Sequence, residues 1–234
     1  MSLSVVMPGL NEEASVGHAV ERVVAALEHS VDEFEIIVID DGSTDRMGEI
    51  ADRLAEADPR IRVVHNERNF NYGVSLARGI AASRCEWIVH EGMDLPLAPE
   101  DFESFIALFA DADVIVAKRF DRSAHSPWRK LTSWTNNLLL HLLYRPRTAD
   151  LNFVQFYRRE YAQAAPLSST SPAFVTPELI MRAEHTGRRV VEVDAEFHRR
   201  RAGSAHFGRP KDIAWTLKDM LKLRAQTLLF GWES

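Results

Sequence analysis

The stretch Phe34-Glu-Ile-Ile-Val-Ile-Asp-Asp-Gly-Ser-Thr-Asp45 (FEIIVIDDGSTD) decides how the chain is read. Its first six residues are a β-rich, largely apolar run of the kind buried on both faces of a sheet, and Asp40-Asp41-Gly42 ends it with turn residues. A helix is expected from about Thr44 to Ala57, with Ser43 or Thr44 as its N-cap. The three carboxylates just after the strand have two readings. An ionised carboxylate only accepts hydrogen bonds, so the cluster suits nucleobase N–H groups and ribose hydroxyls. It suits equally well a turn whose side chains bond their own backbone.

The flanks repeat the pattern. Leu3 to Met7 is a buried strand followed by Pro8-Gly-Leu-Asn-Glu-Glu13, and Val16, Val20, Val23, Val24 and Leu27 then recur at helical spacing. Asn11 is placed to cap that helix, with Glu12 and Glu13 favouring its positive end. Downstream, strands are expected at Ile61–His65, Glu86–His90 and Val114–Ala117, and helices at Tyr72–Ser83 and Pro99–Ala110. Strands alternating with helices of this length imply an α/β fold with a mostly parallel, Rossmann-like sheet flanked by helices on both faces. Ligands collect at the carboxyl edge of such a sheet, and the clusters PGLNEE, DDGSTD and HEGMD all follow strands directly.

The order strand, P-x-x-N-E-E, helix, strand, D-D-G-S-x-D, helix resembles the family 2 glycosyltransferases with the GT-A fold. Asn69-Phe-Asn-Tyr-Gly73 with Ala77 and Gly79 is similar to that family's N-x-G-x-x-x-A stretch, and Ala117-Lys118-Arg119-Phe120 to its G-S-R-Y. Within the family the likeness is to polyprenol-phosphate sugar synthases of the dolichol-phosphate mannose synthase type. It rests on Trp128-Arg129 through Asn136, on Asp150-Leu-Asn152 with Tyr157-Arg158-Arg159-Glu160, and on Glu192–Glu196 with Arg200 to Gly208. The Asp150 motif is one residue short and lacks the family's Ser-Gly-Phe.

The resemblance implies a single GT-A domain over 1–234, with a nucleotide-binding half, 1–117, and an acceptor and phosphate half, 118–234, that ends in an amphipathic helix. It implies that Pro8, Asn11, Glu12, Asp40, Asp41, Gly73, Gly92, Met93 and Asp94 bind a nucleotide-sugar donor. Arg119, Arg129 and Arg200 would face phosphates, alongside Asp94 as catalytic groups, which agrees with the fit of guanidinium forks to phosphate oxygens. A solvated strand end is the plain alternative for the run around Arg200.

The metal motif departs from the family. Where relatives carry D-x-D-L-Q, this chain has Gly92-Met-Asp94-Leu-Pro96, so one acid is a glycine and the glutamine a proline. A divalent cation wants several hard oxygen ligands. Asp94 is the expected ligand of Mg2+ or Mn2+, with Glu91 as a longer arm from one position earlier.

Bulk properties bound the rest. The formal net charge of -6 divides into 8 Lys+Arg against 23 Asp+Glu over residues 1–117 and 20 against 11 over residues 118–234. The basic residues are scattered and no nucleic-acid module is recognisable, so nucleic acid is not an expected partner. The one cysteine, Cys85, rules out a disulfide framework or a cysteine zinc site. With no leader pattern and no long apolar run, the expected location is cytoplasmic, with peripheral membrane contact through the helix around Leu138–Leu143 or the C-terminal helix. For the C-terminal stripe of Ile213, Leu217, Met220, Leu221 and Leu228, packing into the core is the favoured expectation.

The expected activity is sugar transfer from a GDP- or UDP-sugar to a polyprenol phosphate. Two alternatives stand beside it, a transferase acting on a small-molecule or glycan hydroxyl and a nucleotide-sugar-binding protein that has lost transfer.

Overall fold

The computed structural model describes residues 1–119, 127–197 and 210–232, the side chains of 127–134 and 210 excepted. The described elements are β1 (Ser2–Gly9), α1 (Val16–Leu27), β2 (Glu33–Asp40), α2 (Met47–Ala57), β3 (Ile61–His65), α3 (Tyr72–Ala82), β4 (Trp87–His90), α4 (Phe102–Ile106), β5 (Val114–Arg119), α5 (Pro127–Tyr144), β6 (Gln155–Arg158), α6 (Arg159–Ala164), α7 (Val175–His185), β7 (Val190–Ala195) and α8 (Pro210–Phe230). A short 3-10 turn, Pro99–Asp101, leads into α4.

The strands form one seven-stranded sheet in the order β3-β2-β1-β4-β6-β5-β7. All are parallel except β6, which runs against both β4 and β5. The expected α/β architecture is therefore present, with one reversed strand inside an otherwise parallel sheet. Successive side chains alternate faces, and both faces are covered. Val5, Met7, Ile36 and Val38 enter the core on the side of α1, while Val6, Ile37 and Ile39 pack with Leu76, Ile80 and Leu179 on the other. This double burial is why the strands read as unbroken apolar runs.

Several local expectations are corrected. Helix α1 starts at Val16 rather than Glu12, because Asn11 and Glu13 are engaged with the loop after β2. Helix α2 starts at Met47, and neither Ser43 nor Thr44 caps it. The expected helix over 99–110 is a 3-10 turn and five residues of α4. In α8 only Met220 of the expected stripe is buried, together with Leu223, whereas Ile213, Leu217, Leu221 and Leu228 are exposed. Spacings of four and seven place these four on one face, and the core is filled from the adjoining face of Thr216, Asp219, Met220 and Leu223. Among the described residues no helix is long and apolar enough to cross a membrane.

Candidate functional site

Strand register brings the three acidic loops side by side. Gly9 pairs with Asp40, Asp40 with His65, and Val6 with His90, so the ends of β1, β2, β3 and β4 share one carboxyl edge.

The loops after β1 and β2 are tied to each other. Asn11 Oδ1 accepts from the backbone N–H of Thr44 at 2.8 Å and of Asp45 at 3.4 Å, and Asn11 N–H donates to Ser43 Oγ at 3.0 Å. Glu13 Oε2 accepts from Arg46 N–H at 3.0 Å, while Asp45 accepts from Glu13 N–H and Met47 N–H. At the start of α2 the N–H of the N-cap Arg46 is thus satisfied from the neighbouring loop, and that of Met47 by Asp45 of its own loop. Asn11 adopts a left-handed backbone (φ 54°), which asparagine tolerates well. Its role as cap of α1 is replaced by this cross-loop role.

Asp41 is buried and much of its accepting capacity is used internally. Oδ1 takes Asn66 Nδ2 at 2.8 Å and Phe70 N–H at 2.9 Å, and Oδ2 takes Asn71 N–H at 2.9 Å. A carboxylate offers about four acceptor positions, so these donors leave little more than one for a ligand. Asp40 accepts from Ser43 N–H at 2.9 Å and meets His65 Nδ1 at 3.0 Å. Burial alone would raise the Asp40 pKa, but the Ser43 hydrogen bonds and the His65 ring outweigh it and hold the carboxyl below its usual range. The same pairing, with Asp52 on Nε2 at 3.0 Å, raises His65 against its own partial burial.

At the end of β4 the side chains turn inward. His90 is buried with Nδ1 at 2.9 Å from the Tyr72 hydroxyl, and burial depresses its pKa to about 4. Glu91 is wholly buried, its Oε1 accepting from Gly92 N–H at 2.9 Å, and burial followed by the nearby Asp94 charge raises its pKa well above that of an ordinary carboxyl. Met93 packs into the core. Asp94 is only partly buried. A side chain at Gly92 would begin 2.5 Å from Asp94 Oδ1, so the carboxylate occupies space that a second acid there would need. Among the described residues no group of three His, Cys, Asp or Glu is gathered to hold a metal. The donor set fits a cation held by Asp94 and a ligand's phosphates, and does not fit one caged by protein alone.

The remaining expected residues are dispersed. Pro8 is buried in β1, and Gly73 lies under the carbonyl of Ser171, 2.3 Å from where its Cβ would stand. Arg119 forms a fork with Asp150, Nε to Oδ2 at 2.7 Å and Nη2 to Oδ1 at 2.9 Å, above the Phe153 ring. Arg129 lies in α5 with its side chain outside the described atoms, and Arg200 lies outside the described residues. Sequence reasoning did not single out His65, Asn66 or Tyr72, which contact Asp40, Asp41 and His90. Their signal was position alone, since each follows or ends a strand, or opens a helix, at the same edge.

Residues 4–164 match the profile described as Glycosyl transferase family 2. The chain belongs to that family. Among curated members it is 28% identical over 244 residues to glycosyltransferase AglD of Haloferax volcanii, which covers all of this chain and 37% of that protein. It is 29% identical over 212 residues to dodecaprenyl-phosphate galacturonate synthase of Rhizobium johnstonii, 89% of this chain and 62% of the relative. The chain thus spans less than two thirds of the length of either of these two relatives. Glucosyl-3-phosphoglycerate synthase of Mycobacterium tuberculosis, solved with Mn2+, UDP-glucose and phosphoglyceric acid, superposes with a TM-score of 0.69 at 20% identity, covering 96% of this chain and 80% of the other. That likeness establishes the fold of this family 2 chain.

Proposed function

We propose that the chain transfers a sugar from a GDP- or UDP-sugar to the phosphate of a polyprenol. The observation that carries the reading is the union of the family's two donor loops at the carboxyl edge, sealed by Asn11 on Thr44 and held to the loop after β3 by Asn71 N–H on Asp41. Curated relatives named for dodecaprenyl-phosphate and undecaprenyl-phosphate transfer, 28–29% identical over 88–89% of this chain, support the acceptor.

In this reading Pro8, Asn11, Glu12 and Asp41 bound the nucleoside, and the last acceptor position of Asp41 is offered to the base. The acceptor phosphate is already ionised, so it attacks the anomeric carbon as the bond to the diphosphate breaks, and no protein base is needed. What the protein adds is positioning and compensation of charge on the departing nucleoside diphosphate. Arg119 offers Nη1, the end of its guanidinium turned away from the Asp150 fork, and Arg129 and Arg200 belong to the same phosphate-facing set. Asp94 would hold Mg2+ or Mn2+ jointly with the donor, and the bound cation would neutralise diphosphate charge. Peripheral membrane contact is supported by the exposed α8 face of Ile213, Leu217 and Leu221 bordered by Lys218 and Lys222, and by exposed Leu138 and Leu142 of α5.

The test is a screen of GDP- and UDP-sugars with undecaprenyl phosphate, with and without Mn2+, reading nucleoside diphosphate release. Release that depends on the lipid phosphate is expected. Release onto water-soluble hydroxyl acceptors alone, or donor binding without release, would overturn the acceptor or the transfer.

A further inference from the structure

Asn71 has φ 82° and ψ 165°, a conformation at home only in glycine, and any other residue is held there under strain. The surroundings over-determine it. Its N–H donates to Asp41 Oδ2 at 2.9 Å and to Asn69 Oδ1 at 2.8 Å. Its Oδ1 caps α3 by accepting from Gly73 N–H at 2.8 Å and Val74 N–H at 3.4 Å, and its Nδ2 donates to the Thr170 carbonyl at 2.9 Å.

That carbonyl belongs to a strap, residues 168–171, which is held from the opposite side by two buried acids. Asp219 of α8 accepts from Thr170 N–H at 2.8 Å and Ser171 N–H at 2.7 Å. Glu178 of α7 accepts from Ser168 N–H at 3.0 Å and Ser169 N–H at 2.9 Å. Lys222, also on α8, donates to the Ser168 carbonyl at 3.0 Å. The strap then presses its Ser171 carbonyl onto Gly73, the second residue after Asn71.

We propose that Asn71 is a positioning residue for the donor nucleoside and that Asp219 acts on the same site through it. The inference rests on the reading above, in which Asp41 receives the nucleoside. Asn71 supplies one of three donors that orient the Asp41 carboxylate. Only its strained backbone points that N–H at Asp41, and the strap supplies the bond that keeps the strain in place. Three successive hydrogen-bond links, Asp219 to Thr170, Thr170 to Asn71 and Asn71 to Asp41, carry the position of α8 to the donor site.

The experiment is calorimetric titration of the whole chain with UDP and with GDP in Mn2+, for wild type, Asn71→Ala, Asn71→Gly and Asp219→Ala, with the melting temperature of each. Asn71→Ala should weaken binding roughly tenfold, the equivalent of about 1.4 kcal/mol. Asn71→Gly should lose less, because glycine reaches the same backbone without strain and keeps the N–H aimed at Asp41. Asp219→Ala should weaken binding while touching no nucleotide, and in turnover should raise the KM for donor while leaving that for polyprenol phosphate unchanged. A folded Asp219→Ala with wild-type affinity, or Asn71→Gly binding no better than Asn71→Ala, overturns the proposal. If Asn71→Ala does not fold, Asp219→Ala and the affinity retained by Asn71→Gly decide it. A wild type that binds neither nucleotide overturns the donor reading itself.

Discussion

Asn11, on the loop after β1, presents its side-chain oxygen to the backbone N–H of Thr44 on the loop after β2, at 2.8 Å. The two loops are thereby one rigid lip of the site. Asn11→Ala removes that acceptor and leaves a left-handed backbone without an asparagine, a combined cost of about 1–2 kcal/mol. The expected result is a melting temperature lower by roughly 2–4 °C per kcal/mol, read by calorimetry, and weaker nucleotide binding.

Gly73→Ala tests the strap from the other side. Its new Cβ would meet the Ser171 carbonyl oxygen, a backbone atom that cannot rotate away. A loss of about 1–3 kcal/mol in urea unfolding is expected. Gly187→Ala is the control, since its Cβ would meet nothing and only its left-handed backbone (φ 75°) is disturbed.

Glu91 sets a pH dependence. Its folded pKa is raised by burial above the unfolded value of about 4.5, so it costs no stability below that pH and progressively more as pH rises towards the folded value. Glu91→Gln keeps an oxygen for Gly92 N–H and removes the titration. Its melting temperature should gain on wild type from about pH 4.5 upward, in thermal scans across pH; a constant difference would contradict the assignment.

Arg119 and Asp150 form a fork whose carboxylate is almost wholly buried, at 2% exposure. Arg119→Ala removes both side-chain bonds of the fork and should cost roughly 1.5–3 kcal/mol in equilibrium unfolding. Removing both partners should restore part of the loss, a coupling that a double-mutant cycle reads directly.

The first five strands were legible because burial on both faces leaves a simple mark, as in Phe34–Ile39. The donor loops were legible as positions on an edge. Their bonding was not, because Asn11 and Asp45 satisfy groups more than thirty residues away and local grammar assigns such side chains to the nearest helix. Arg119 looked free for phosphate because its partner Asp150 lies 31 residues on. The reversed direction of β6 left no trace in Gln155–Arg158, since alternation carries no sense of direction. The C-terminal stripe was read as core because periodicity shows that a face is apolar, and not what covers it.

The reversed strand has a consequence for synthesis. β4, with its apolar Trp87-Ile-Val sequence, gains its second neighbour only when β6 pairs Trp87 with Arg158 and Val89 with Phe156. Until residue 158 has left the ribosome, one edge of β4 is an open apolar template of the kind that recruits other chains. Truncations ending between β4 and β6 should therefore be found in the insoluble fraction.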